Sequence, residues 1–347
     1  MYQPVTRQDL ESTLALAKDV PNAVDLHRLA ALFMSFAIGE IFRMSPVQLK
    51  DSAVKAQRLQ RATFYFNNAS SLLTAPDRHF MMHLSVGAVQ TLHCMTLFSF
   101  VVDIPAVAKS AWMLLGMALR VAQALGLHRD PRKLSSLSPE VQSERARVWW
   151  EVRTYELLSS LNFGRPYALP RYSDCPLPRV LAQPSGDDAR LRAFHDVKHS
   201  MGILFERVSD LLSPSELPAY DDVLALDRDL RQVEANAPPF LQPGDFTDRV
   251  STVDPVEGML SVQRHMVALL LHKSLLALHR PWFAKAVTTH TEPMLTPYAA
   301  SFNVCILSAR KHTELMRSIL TKAPIIATTW WFFVFHTATG MSAQRSV

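Results

Sequence analysis

Histidines are the first residues in this 347-residue chain whose chemistry invites a function, since it holds thirteen and neutral imidazoles bind metals and titrate near neutral pH. His79 and His83 stand four residues apart and could share an ion on one helical face. No glutamate lies between them as H-E-x-x-H requires, and His93 is too far along to complete the set. His265, His272 and His279 recur every seven residues, which aligns them on one face. That spacing leaves roughly 10 Å between neighbours, too much for one ion, so these three are expected to border the core.

Asp221, Asp222 and Asp227 resemble the aspartate-rich magnesium motif of helical isoprenoid enzymes. The third carboxylate comes too late and no second signature follows, so a solvated face is expected instead. Cys94, Cys175 and Cys305 are odd in number and far apart, which excludes a disulfide framework and a C-x-x-C site. Arg145, Arg147, Arg153 and Arg165 flank Trp149 and Trp150, a mixture suited to stacking on nucleic acid. They alternate with Glu144, Glu151 and Glu156, and the tryptophans fall on or beside an apolar stripe, which argues for packing. G-x-G-x-x-G, the P-loop and G-x-S-x-G are all missing. Neither a catalytic residue nor a bound metal is expected.

Composition sets the frame for these side chains. With 48% hydrophobic and 19% charged residues the chain can bury a large core. Its net charge of +5 is too thinly spread to be an electrostatic footprint for DNA. The start, MYQPVTRQDLE, has no secretory pattern. Residues 323–341 are uncharged and about as long as a bilayer span, but four threonines, a histidine, a proline and a glycine favour a buried helix. No membrane association is expected.

Helical spacing dominates. Trp112, Leu115, Leu119, Ala122 and Leu125 recur at steps of three and four, Gly126 offers the permissive backbone of a helix end, and Asp130-Pro131 blocks continuation. Ser138, Pro139 and Glu140 suit the start of another helix, which Gly164-Arg165-Pro166 ends. A third stripe from about Ser261 to His279 is expected to stop at Pro281. Comparable stripes run through 24–43, 52–73, 79–100, 188–213 and 302–320. No segment alternates apolar and polar residues between hairpin turns. The expectation is an all-α fold of roughly ten helices in two packed halves, divided by the loop at 166–187.

The ordered set of short motifs resembles a known family. Trp112 through Gly116, then Gly126-Leu127-His128-Arg129-Asp130, then Arg147, Trp149-Trp150, Gly164-Arg165-Pro166, Asp174 and Pro178 look like the centre of the fungal-specific transcription factor domain. Leu278-His279-Arg280-Pro281-Trp282 is similar to its His-Arg-Pro-aromatic element. This divides the chain into a lead-in at 1–21 and a regulatory domain from 22 to 347. The most recognisable core is 104–180, and the second helical half at 188–347 ends in an apolar helix where the family usually continues.

Where the family has an Asp-Arg pair, this chain has Glu156-Leu157. Glu156 is expected to be partly buried against a guanidinium, Arg165 first and Arg120 second. The resemblance implies a nuclear, non-enzymatic regulatory domain that controls transcription by binding coregulators or a small-molecule effector, with a possible dimer partner. DNA contact and zinc would belong to an N-terminal six-cysteine cluster or a partner, since three scattered cysteines cannot build that cluster. The alternatives are a helical small-molecule binder or enzyme with a pocket between the halves, and a protein-interaction scaffold.

Overall fold

Several helix boundaries of the protein can be traced to a local chemical cause, such as Asp25 and Asp51 accepting backbone N–H groups at the starts of their helices. The structure is a computed structural model describing residues 4–45, 47–102, 104–134, 136–180, 186–213, 216–242 and 255–322. Among these, α1 (Arg7–Asp19), α2 (Leu26–Phe42), α3 (Ser52–Leu73), α4 (Val86–Val102) and α5 (Ile104–Ala124) precede the long α6 (Pro139–Phe163). Then come α7 (Gly186–Leu212), α8 (Tyr220–Ala235), α9 (Pro255–Thr289) and α10 (Ala299–Lys322). No strand occurs among the described residues, and the fold is all-α. No helix among them is long and apolar enough to cross a membrane. The apolar stretch 323–341 lies outside the described residues.

The chain forms two compact units. One is built mainly from 1–159 and 167–183, the other mainly from 160–166 and 184–328. In the first, α2 packs on α1, α3 and α4, and α4 packs on α5. Its helices approach closely where Gly87 faces α2, since an added Cβ would come within 2.9 Å of the Arg28 backbone nitrogen. In the second, α9 is the central helix and packs on α7, α8 and α10.

Three elements differ from the sequence expectation. The lead-in contains α1, nucleated by a reciprocal capping box in which Asp9 N–H donates to Thr6 Oγ1 and Thr6 N–H donates to an Asp9 carboxylate oxygen. The stripe drawn from residue 79 begins as turns, and α4 starts only at Val86, after Ser85 Oγ has accepted the Ala88 N–H. His79 and His83 therefore share no helical face. Pro281 does not stop its helix, because α9 continues to Thr289. The missing proline N–H costs one backbone hydrogen bond. The turns beyond it are held by ring packing, with Trp282 against Tyr298 at 4.7 Å and Phe283 stacked on Phe302 at 5.4 Å.

Candidate functional site: a motif clasp and a buried relay

The end of α5 explains why its motif has the residues it has. Gly126 has φ +70°, in the left-handed region where a side chain would be strained. Its N–H donates to Gln123 O and the Leu127 N–H donates to Ala122 O, which completes a Schellman ending. Leu127 then turns into the core at 1% exposure, and the chain behind it continues through a turn and a bend as a short arm. Replacing Gly126 with alanine is expected to cost about 1 kcal/mol of unfolding free energy by denaturant titration. An unchanged midpoint would show that the turn tolerates a Cβ.

That arm clasps a second segment 45 residues away. His128 O accepts the Asp174 N–H at 3.1 Å, the Cys175 N–H at 3.2 Å and the Ser173 hydroxyl at 2.9 Å. In return the Asp130 N–H donates to Asp174 Oδ1 at 3.1 Å, while Lys133 pairs with Asp174 Oδ2 at 2.8 Å. Asp130 holds Arg132 through both carboxylate oxygens, and Arg129 lies 5.2 Å over the Tyr172 ring. Hydrogen bonds to these cations hold the Asp130 and Asp174 carboxyls below the usual carboxylate range. Burial, followed by the charge of Arg129, lowers His128.

α6 locks the clasp from behind. Trp149 is fully buried and sits 5.9 Å from the His128 ring, and the Trp150 indole N–H donates to Pro176 O at 2.8 Å. Arg145 donates to Leu125 O, a carbonyl at the negative end of α5. Arg147 donates to Pro4 O at 2.6 Å and to Asp9 at 3.0 Å, so the α1 capping box is also an anchor for α6. Glu144 joins the same junction by accepting from Arg28 and Gln90. Both tryptophans are buried, an arrangement that offers no platform for stacking nucleic-acid bases.

Glu156 is buried as expected, with a different partner. Its Oε1 accepts the Ala168 N–H at 2.9 Å, and burial raises its carboxyl above the ordinary range. The neighbours expected for it are engaged elsewhere: Arg165 lies over the Phe163 ring at 5.9 Å and Arg120 donates to Gln123. The carboxylate thus ties α6 to the following loop through a backbone amide. An amide can donate without carrying a second charge into the interior, which suits a carboxyl shifted toward its neutral form.

The remaining motif residues take plainer places. Trp112 lies half-buried on α5, and at Gly116 an added Cβ would meet nothing within 4 Å. Gly164 has φ +62° and ends α6, with the Arg165 N–H returning to Ser160 O. Pro166 is exposed and Pro178 opens a short 3-10 turn. Trp112 through Glu156, with Asp174 and Pro178, belong to the first unit; Gly164-Arg165-Pro166 and His279-Arg280-Pro281 belong to the second.

In the second unit the seven-residue histidine ladder on α9 meets a serine ladder on α10. His265 Nδ1–H donates to the Ser261 carbonyl, which leaves Nε2 to accept from Ser318 at 3.0 Å. His272 Nδ1 meets Ser308 Oγ at 3.2 Å. His279 Nε2–H donates to Asp227 at 3.1 Å, so its Nδ1 accepts from Ser301 at 2.8 Å. Tyr220 extends this relay by bonding Ser301, and Arg231 extends it by gripping Asp227 through both oxygens. Despite its late spacing, Asp227 is therefore a structural carboxylate, held at about 2 by these donors against the opposing effect of burial.

Ser301, His279 and Asp227 have the hydrogen-bond order of a nucleophilic triad. Ser301 and His279 are both 0% exposed, so no substrate reaches the hydroxyl. Arg280 points to solvent beside them. Sequence reading missed Asp9, Gln90, Tyr220 and Ser301. The Thr6-to-Asp9 capping box was a visible signal for the first; the others carry none in one sequence.

Residues 11–219 match the fungal specific transcription factor domain. An uncharacterized transcriptional regulatory protein of Schizosaccharomyces pombe is 26% identical over 323 residues, which is 89% of this chain and 39% of that protein. A Zn(2)-C6 fungal-type transcription factor of Monascus ruber is 28% identical over 214 residues, 57% of this chain and 25% of its own length. The sorbicillinoid biosynthetic cluster transcription factor 2 of Penicillium rubens is 22% identical over 296 residues, 81% of this chain and 42% of its own. The chain spans between a quarter and about two fifths of these relatives, which are named as regulators of transcription and not as enzymes. No solved structure matches it. Because the matched region runs from within α1 through α7 and takes in the clasp and more than half of the chain, the protein belongs to the fungal specific transcription factor domain family.

Proposed function

We propose that this chain is the regulatory region of a nuclear transcription regulator, acting through coregulator binding and leaving DNA contact to another module. The observation that supports this most is that the matched region contains the clasp, whose motif residues are bound to one another. Such residues build a scaffold. The three cysteines add to the reading: all are buried free thiols pushed up to about 12 by burial, and they are half of what a six-cysteine two-zinc cluster needs.

A second reading, small-molecule sensing, draws on a cleft of about 450 Å³ in the first unit, lined by Asn22, Asp25, His27, Arg78, His83 and Ser85 among others. Its size suits a small polar metabolite.

The whole 347-residue chain, fused to a heterologous DNA-binding module, should change output from a reporter promoter several-fold relative to that module alone. The unfused chain should give no gel shift with promoter DNA. An unchanged reporter overturns the regulatory reading, and a gel shift by the unfused chain overturns the division of labour.

A further inference from the structure

α2 and α3 pack through small residues, Ala62 and Ala69 of α3 being fully buried, and four aromatic rings collect at one edge of this pair. Tyr65 is the hub. It lies 6.2 Å from Phe33, 5.6 Å from Phe36 and 5.7 Å from Phe64. Phe64 is 61% exposed and Phe36 38% exposed. Single apolar side chains on a surface need no explanation, but interlocked rings reaching solvent together are the usual composition of a binding hot spot.

Charge says what would cover them. α3 carries Lys55, Arg58 and Arg61 and no carboxylate. Arg61 precedes Phe64 and Tyr65 by one turn, so its guanidinium borders the rings. Glu40, one turn beyond Phe36 on α2, faces both Arg58 at 2.7 Å and Arg61 at 3.3 Å, and one carboxylate cannot neutralise two guanidiniums. The Arg61 side chain stays 56% exposed. From residue 40 to 65 the chain has five basic and two acidic side chains, and Asp51 is occupied in capping α3. The edge is aromatic with a positive border.

We infer that this α2–α3 edge docks a short acidic amphipathic helix of a partner protein, with apolar side chains on the Phe36, Phe64 and Tyr65 rings and carboxylates over Arg61. Such helices present apolar residues at i, i+3, i+4 and i+7, a row that fits a short aromatic strip. A second copy of this chain is the poorer occupant, because apposing two identical basic edges sets like charges against each other. The inference rests on the coregulator reading above and supplies the partner chemistry that it lacks.

The test uses the purified full chain and two labelled sixteen-residue helical peptides that share apolar positions, one with glutamates elsewhere and one with lysines. Fluorescence anisotropy should show saturable binding of the acidic peptide, weakening as salt rises, and none of the basic one. Phe64→Asp should weaken binding by about tenfold or more, and Arg61→Gln should weaken it while reducing the salt dependence. Circular dichroism should show the wild-type helix content and melting temperature for Phe64→Asp, since the side chain is exposed. Equal binding of both peptides, or wild-type affinity in Phe64→Asp, overturns the inference. A dimer in sedimentation that Phe64→Asp dissolves also overturns it, by making the edge a self-contact. A reporter that responds in the tethering experiment while the peptide fails to bind leaves the coregulator reading standing and removes this surface alone.

Discussion

Replacing Trp149 with alanine is expected to lower the unfolding free energy of the first unit by about 3–5 kcal/mol. The indole is fully buried, and its N–H has no hydrogen-bond partner among the described residues, so the loss comes from packing. The position matters because α6 is the strut of this unit. At its start Arg147 and Glu144 tie it to α1, α2 and α4, and further on Tyr155 packs edge-on against His93 at 5.2 Å and Phe100 at 5.7 Å on α4. Trp149 stands between, behind the clasp, where its removal opens a cavity beside His128.

Trp149→Phe retains most of the ring and should cost about 1–2 kcal/mol. The two variants are compared by urea denaturation followed by circular dichroism. A loss under about 1 kcal/mol for alanine would show that neighbouring side chains collapse into the space and that the residue is not a keystone.

The helices were readable because they follow from local rules. The apolar steps from Trp112 to Leu125 and the glycine behind them specify both the face and the ending of α5, and the structure shows the Schellman bonds that this pattern implies. Pro281 misled because a proline forfeits one hydrogen bond locally while Trp282 and Phe283 gain ring contacts with residues some fifteen or more positions later. Helix propensity cannot register that compensation.

The candidate site shows the same division. That His128, Asp130 and Asp174 belong to a motif was legible from the order of the pieces, but their mutual hydrogen bonds were not, because the contact spans more than forty residues. Glu156 was correctly placed as a buried carboxylate by its spacing from Trp149 and Val152. Its partner could not be read, since every residue offers a backbone amide and the sequence advertises charged side chains alone.

The histidine ladder gives the second unit a pH dependence on the acid side of neutrality. Burial first, then the charges of Lys322 and Arg264, hold His265 at about 4; burial first, then Arg231 and Lys311, hold His272 at about 4, with Glu314 acting the other way. An unfolded histidine titrates near 6.5, so between about pH 6.5 and 4 the unfolded chain binds protons that the folded one refuses. The stabilisation from keeping these rings neutral is complete above about pH 6.5 and is lost as the pH falls toward 4. Each ring is worth about 3 kcal/mol at the end of that window.

The chemistry of the ladder shows why refusal is built in. The Ser261 carbonyl already takes the Nδ1 proton of His265, so a second proton must go to Nε2, where Ser318 is placed to donate. Charging the ring therefore forces the Ser318 hydroxyl to reverse from donor to acceptor as well as burying a cation. Asp227 is held at about 2, below the usual aspartate range, so its stabilisation is present above about pH 4 and is lost only as the pH falls below that. The two effects occupy separate windows. Urea denaturation of the wild-type chain at pH 7.5, 6, 5 and 4.5 should show the second unit weakening steadily. In the His265→Gln/His272→Gln double variant, neutral at every pH, the decline over the same range should be much shallower. Parallel curves would mean that these histidines take up protons equally in both states, and the acid sensitivity would have to come from other groups.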